Sequence, residues 1–247
     1  MNTGQVNLTA FYWGKTMARN FAAGTNVLRN ASALGITGYP VAFSCFFRVP
    51  NVSGYKPIMA LNDVGASGSL ILSVNGNVLL NQTTNDSAIG ESVTSSNTIS
   101  IDTWYHAMAM WYSATERYVV LNDVCVAGTS TNLVFPAALD RFSVGGEERF
   151  SAQQFVGDLY RATVWKDVKP LLDTVKAISN GKPPYFVHHE NMVAHYALNN
   201  ANGTNEQDLI NTNHLTLTGS SNYVSTNPTL LTKLTRRTAS RLNRGAA

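Results

Sequence analysis

Residues 103–113, TWYHAMAMWYS, restrict the fold more than any other stretch of the chain. In an extended strand successive side chains point to opposite faces. Tyr105, Ala107, Ala109 and Trp111 then share one face, and His106, Met108, Met110 and Tyr112 share the other. Both faces are largely apolar, a pattern that a half-exposed strand does not satisfy. A strand covered on both sides in a two-sheet sandwich does. After the turn residues SATE comes RYVVLNDVCVAG, residues 117–128, which reads as the antiparallel partner.

Other segments extend this β reading. YPVAFSCFFRV, beginning at Tyr39, is an aromatic and β-branched run lying between Pro40 and Pro50. GSLILSVNGNVLLNQ holds two strand-like runs around Asn75 and Gly76, a pair suited to the positive φ angles of a tight hairpin turn. DRFSVGG and QQFVGDLYRATVWKD read as two strands joined by a Gly-rich loop, and MVAHYALNN and HLTLTGSS return to β character. One helix is predicted, in KPLLDTVKAISNGKPP. Pro170 suits its first turn, Leu171, Leu172, Val175 and Ile178 form its stripe, and Gly181, Pro183 and Pro184 stop it. Residues 1–38 lack periodicity and read as an arm in which Phe11, Tyr12 and Trp13 form an apolar anchor. The expected organisation is an arm over 1–38, one domain over 39–224, and a second arm over 225–247.

Composition supports strands over exposed helices. Charged residues make up 13% of the 247 positions, against roughly 25% in ordinary soluble domains, so Asn, Ser and Thr must supply the polar surface. Those residues suit pleated surfaces and turns. The net charge of +3 is unevenly placed. No Asp or Glu follows Leu209, and Lys233, Arg236, Arg237, Arg241 and Arg244 outweigh the net charge, leaving the body mildly acidic. Such a tail either docks on an acidic or phosphate-bearing surface or is a solvated end. Cys45 and Cys125 sit in apolar runs and read as buried free thiols. No charged leader with an apolar core, and no run of membrane-spanning length, is present; the expectation is a cytoplasmically made protein without a membrane partner.

Taken in order, WYHAMAMW, YVVLNDV, FSVGG, FVGDLYRATVW, a helix closing in NGKPP, and MVAHYALNNANGTNEQDLINTNHLTLTG resemble the laminin-G-like, pentraxin-like branch of concanavalin A-type jelly rolls over residues 39–221. The resemblance implies an all-β jelly roll of two antiparallel sheets with one short helix and extended terminal arms. It also implies that His106 packs and hydrogen-bonds within the scaffold. His188 and His189, in an extended segment, would point to opposite faces and suit no shared metal. His195 and His214 stand among apolar neighbours, and zinc is not expected.

The segment GGEERFSAQQFVGD is similar to the pentraxin stretch that supplies calcium ligands. The match puts Glu147, Glu148 and Gln153 at liganding positions, but Arg149 where the family has an aspartate. A guanidinium offers only donors and positive charge, whereas calcium wants several oxygens. Asn62 and Asp63 of LNDVGASG add oxygens if the loops converge, and pairing of Arg149 with Glu147 or Glu148 is the alternative account. No cofactor is expected, calcium being the one exception kept open. Cys45 matches a pentraxin disulfide position whose partner position is read as Met108, so no bridge is implied. For a glycan held without metal, the candidates are Tyr55, Trp104, Tyr112, Trp165, and Asn85 and Asp86 of NQTTNDS.

Glycosidases of the related fold carry E-x-D-x-E on one strand, placing two carboxylates across the sugar bond. No such triplet occurs, Glu147 and Glu148 are adjacent, and G-x-S-x-G, H-E-x-x-H and phosphate-loop motifs are missing. Enzymatic activity is not expected. Two long arms on a jelly roll make sense where neighbours order them, and the low-charge, Asn/Thr-rich surface resembles accessory virion proteins of tailed bacteriophages. The expectation is a structural virion protein that decorates or cements a capsid. Phe11, Tyr12, Trp13, Lys233, Arg236, Arg237, Arg241 and Arg244 would clasp major capsid or other virion proteins, with a homo-oligomer expected. Nucleic acid is not expected, because the body lacks a basic face. The alternative is a lectin-like module of a tail or fibre that binds a host glycan.

Overall fold

A computed structural model describes residues 18–22, 26–128, 131–148, 153–199, 204–219 and 222–224, the last three by their backbone. Two antiparallel sheets lie face to face. The first contains β1 (Ala18–Phe21), β3 (Val41–Arg48), β8 (Tyr105–Trp111), β9 (Arg117–Leu121), β10 (Val124–Ala127), β12 (Gly157–Lys166), β13 (Met192–Tyr196) and β16 (Asn222–Val224). The second contains β2 (Val27–Asn30), β4 (Tyr55–Asn62), β5 (Ser69–Asn75), β6 (Val78–Thr84), β7 (Gly90–Thr94), β11 (Arg141–Val144), β14 (Asn205–Glu206) and β15 (Leu215–Thr218). Their orders are β10-β9-β8-β3-β12-β1-β16, with β13 also on β12, and β14-β15-β2-β11-β4-β5-β6-β7.

The doubly apolar strand occupies the predicted place. On its inner face Ala107, Ala109 and Trp111 join Phe43, Phe142, Leu61 and Leu72 in the core between the sheets. Phe43 meets the edge of Trp111 at 4.9 Å between ring centroids, a favoured aromatic geometry. Trp111 Nε1 donates across the core to Thr83 Oγ1 at 2.8 Å, and Asn81 Nδ2 donates to the carbonyls of Met110 and Tyr118. These bonds satisfy buried polar atoms that would otherwise oppose sheet stacking. On the outer face Met108 and Met110 pack with Phe46, Val120, Tyr160 and Trp165 beneath α1 (Leu172–Ser179), which contributes Val175 and Ile178.

Several expectations need correction. β1 and β2 come from the stretch assigned to the N-terminal arm, and each pairs on both sides within a sheet. Four-residue strands are too short to show a period, and β1 is buried on both faces. The hairpin of β5 and β6 pairs Asn75 with Val78, so its loop is Gly76 and Asn77 rather than Asn75 and Gly76, and the positive φ of 58° falls on Gly76. The segment 117–128 is two strands, because Asn122 and Asp123 turn β9 back into β10. Leu171 and Leu172 are exposed, and Ser179 takes a buried place on α1 beside Val175 and Ile178. Cys125 is only half-buried. Cys45 faces Ala107 across β3 and β8; Met108 pairs with Ser44 and lies on the other face. His188 is left-handed, with φ 46°, and His189 opens a 3₁₀ turn, so the pair is not extended. Residues Phe11, Tyr12, Trp13, Lys233, Arg236, Arg237, Arg241 and Arg244 lie outside the described residues.

Candidate functional site

The loop after β11 folds over the outer face of the second sheet. Gly145 starts it with φ +83°, at a place where an added Cβ would stand 2.2 Å from Phe21, so only glycine fits. Ser143 Oγ holds the turn by donating to Gly146 O at 2.7 Å. Glu147 is thereby buried, and its Oε1 accepts from Asn62 Nδ2 at 3.0 Å. Glu148 pairs with Arg29 and, at 3.4 Å, with Arg141. Gln153 joins through its carbonyl, which accepts from Glu147 N.

The expected loops therefore converge, but their chemistry does not suit calcium. Asn62 presents its NH₂ toward the carboxylate, and two guanidiniums stand where a cation would compete for Glu148. Arg149 lies outside the described residues, and the arginines that take the Glu148 charge are Arg29 and Arg141.

The remaining loop candidates serve the backbone. Asp63 Oδ1 accepts from Gly65 N and Ala66 N at 2.8 and 3.1 Å. Asn85 Oδ1 accepts from Ser87 N and Ile89 N, both at 3.0 Å. Asp86 Oδ2 accepts from Ala137 N at 2.9 Å. Each closes a turn or fastens a loop in the manner usual for Asx side chains. Tyr55 lies at the far end of β4 from Asn62, about 23 Å away along the strand, where its hydroxyl donates to Gln82 Oε1 at 2.6 Å. Trp165 is buried and donates to Val187 O, Tyr112 OH donates to Pro170 O, and Trp104 lies beneath Arg48. They do not form one aromatic surface.

A polar row crosses the outer face of the first sheet. Ser179 Oγ donates to Asn122 O, which leaves its lone pair for His106 Nδ1–H at 2.6 Å. His106 Nε2 is then an acceptor for Ser44 Oγ at 2.8 Å. Ser44 is in register with Thr163, whose Oγ1 lies 2.8 Å from His195 Nδ1. Burial pushes His106 down to about 4, and burial with the nearby Arg161 pushes His195 down to about 4. Both rings are neutral at physiological pH. The Ser44 and His106 contact has the length of a nucleophile and base pair, yet both residues are 0% exposed, and no substrate reaches them. His214 also has a partner, Asp208 N, which donates to its Nδ1.

At the end of the sandwich where β9 turns into β10, an open cleft of about 340 Å³ is lined by Ser96, Asn97, Thr98, Tyr105, Leu121 and Asn122. Asn122 adopts φ 59°, a left-handed conformation that Asn tolerates well. Its N donates to His106 O at 2.8 Å and its Oδ1 accepts from His106 N at 3.0 Å. None of these six residues stood out in the sequence. The Asn-Asp pair between two β-branched runs was the available signal, since such pairs favour tight turns.

Residues 22–170 match the family described as the concanavalin A-like lectin/glucanases superfamily. The chain belongs to that superfamily. Its fold resembles that of a Bacteroides ovatus ATCC 8483 protein assigned as carbohydrate binding, with a TM-score of 0.65 and 17% identity, over 85% of this chain and 59% of that one. The chain thus spans less than two thirds of that protein. It also resembles a native heptameric SAP-like pentraxin from Limulus polyphemus, with a TM-score of 0.54 and 14% identity, over 67% of this chain and 82% of the pentraxin. Among curated proteins, none matches the sequence.

The superfamily includes both lectins and glucanases, and the carboxylates bear on the choice. Glycoside hydrolysis needs one carboxylate that keeps a proton and a second free to attack or to activate water. In this member Glu147 is buried against Asn62, and Glu148 is neutralised by two arginines.

Proposed function

We propose that the chain is a non-catalytic carbohydrate-binding module. The match of residues 22–170 to the lectin/glucanase superfamily carries this reading. The Bacteroides ovatus neighbour, itself assigned as carbohydrate binding, agrees with it, and both oxygens of Glu148 are taken by arginines of the fold itself. The test is to probe immobilised neutral and acidic glycans with the full chain and to assay reducing-sugar release from the same glycans. Binding without release is expected. Release of sugar would overturn the non-catalytic part, and failure to bind any glycan would overturn the rest.

Capsid decoration stands second. Its support is the acid-free segment after Leu209 with its five cations, which suits docking on an acidic neighbour. The other support is shortened, because residues 18–21 and 27–30 belong to the sheets. In this reading a jelly roll on a phage particle uses the tail to hold neighbouring subunits, with assembly into a homo-oligomer. Removing residues 225–247 would abolish incorporation into particles while leaving folding intact; unchanged incorporation would reject the reading.

A further inference from the structure

We propose that the cleft between residues 95–99 and the turn at Asn122 is a metal-free site for an uncharged, hydroxyl-rich ligand, a neutral saccharide, with Asn122 Nδ2 as its central donor. This rests on the carbohydrate-binding reading and gives it a location that differs from the loops around Asn62 and Glu147.

The lining selects the ligand class. Ser96, Thr98 and Tyr105 bring hydroxyls, Asn97 and Asn122 bring carboxamides, and Leu121 is apolar. None of the six is charged. A phosphate or carboxylate ligand would call for a guanidinium or ammonium, and a metal would call for several oxygen ligands, carboxylates among them. Hydroxyls and amides instead offer donors and acceptors together, which is what a polyol presents. At about 340 Å³ the cleft falls at the small end of ligand pockets.

The walls are fixed before any ligand arrives. Ser95 N donates to Leu79 O at 2.9 Å and Ile99 N to Asn77 O at 2.7 Å, while Ser95 Oγ donates to Asn97 O. These bonds pin the loop to the β5–β6 hairpin and leave the side chains of Ser96, Asn97 and Thr98 without hydrogen bonds among the described residues. Tyr105 stacks on Phe47, with centroids 5.7 Å apart and planes 26° apart. Its oxygen accepts from Ser100 N at 2.9 Å, so its hydroxyl hydrogen remains to donate.

Asn122 is the most constrained member. Its N, O and Oδ1 are all engaged, by His106 O, Ser179 Oγ and His106 N. Its Nδ2 alone has no partner among the described residues, and Asn122 is one of the residues that line the cleft. A donor held in place by three neighbouring bonds loses little conformational freedom on binding.

The test is calorimetric titration of the full chain with neutral oligosaccharides of glucose, mannose, xylose and galactose, in calcium and in EDTA. Asn122→Asp keeps the acceptor for His106 N and the left-handed turn but replaces the donor with a carboxylate oxygen. Thr98→Trp fills the mouth from an exposed position, so it leaves the fold intact even if the first variant does not. At least one sugar is expected to bind equally in EDTA and calcium, and each variant to weaken it by about tenfold or more. If no sugar binds the unaltered chain, the carbohydrate reading fails and the site with it. If sugars bind but both variants match the unaltered chain, the reading stands and the cleft is not the site. Loss of binding in EDTA would also overturn the cleft.

Discussion

At the end of the sandwich that carries the Asn62 to Ser69 loop, side-chain acceptors are used by the protein itself. Asp63, Asn85, Asp86 and Asp140 each accept from backbone amides, and Glu148 is held between Arg29 and Arg141. At the opposite end, where β9 turns into β10, Asn122 also spends its acceptor on the backbone, but its donor is left over in an uncharged cleft. The two ends use the same residue types. A carboxylate that closes its own loop has no donor to offer, whereas a carboxamide fixed through its oxygen, as Asn122 is, keeps an NH₂.

Acid should attack the support of the cleft most strongly. His106 and His195 take up protons at about 4 in the fold and near 6.5 when unfolded. A lowered folded value means the unfolded chain binds the proton first. Stability is therefore complete above about pH 6.5 and falls as the pH drops toward 4, by up to roughly 3 kcal/mol for each histidine. Urea unfolding at pH 7, 5.5 and 4 reads this directly, and a flat profile would separate the polar row from the stability of the cleft end.

His106→Ala comes next. It leaves a cavity and removes the imidazole partner of Ser44 and Ser179, at a cost of about 3 kcal/mol. A loss below about 1 kcal/mol in urea unfolding would show that the imidazole bonds to Ser44 and Ser179 contribute little to the cleft end. The smallest effect belongs to the acidic end. Glu148→Gln should cost less than about 1 kcal/mol, since the Arg29 side chain is 43% exposed and exposed pairs contribute little. Millimolar calcium should leave the melting temperature of the unaltered chain within about 1 °C. A rise of several degrees would return Glu147 and Glu148 to a ligand role and erase the contrast between the ends.

The sandwich was legible wherever one segment carried its own pattern. The β5–β6 hairpin, the doubly buried β8 and the helix near Val175 and Ile178 all follow from spacing within a dozen residues. What escaped depends on distant partners. Arg19 looks like a reason to reject a strand until Glu206, 187 positions later, pairs with it in the core. Missing β2 had a second effect, because Arg29 lies on it, and without Arg29 the acids at Glu147 and Glu148 resemble free ligands. The cleft was hidden for the same reason. Asn122 reads as an ordinary strand residue until His106, 16 positions away, fixes its carboxamide and Ser179, 57 positions away, takes its backbone carbonyl.

The placement of β1 also sets an order of events during synthesis. Arg19 pairs with Leu159 on one side and Tyr223 on the other, so this early strand has no sheet to join until β12 has been made. At ordinary elongation rates that interval is roughly 7 to 30 s. Throughout it Phe21, which ends fully buried, is without its final cover, and the unpaired β1 segment is open to pairing elsewhere.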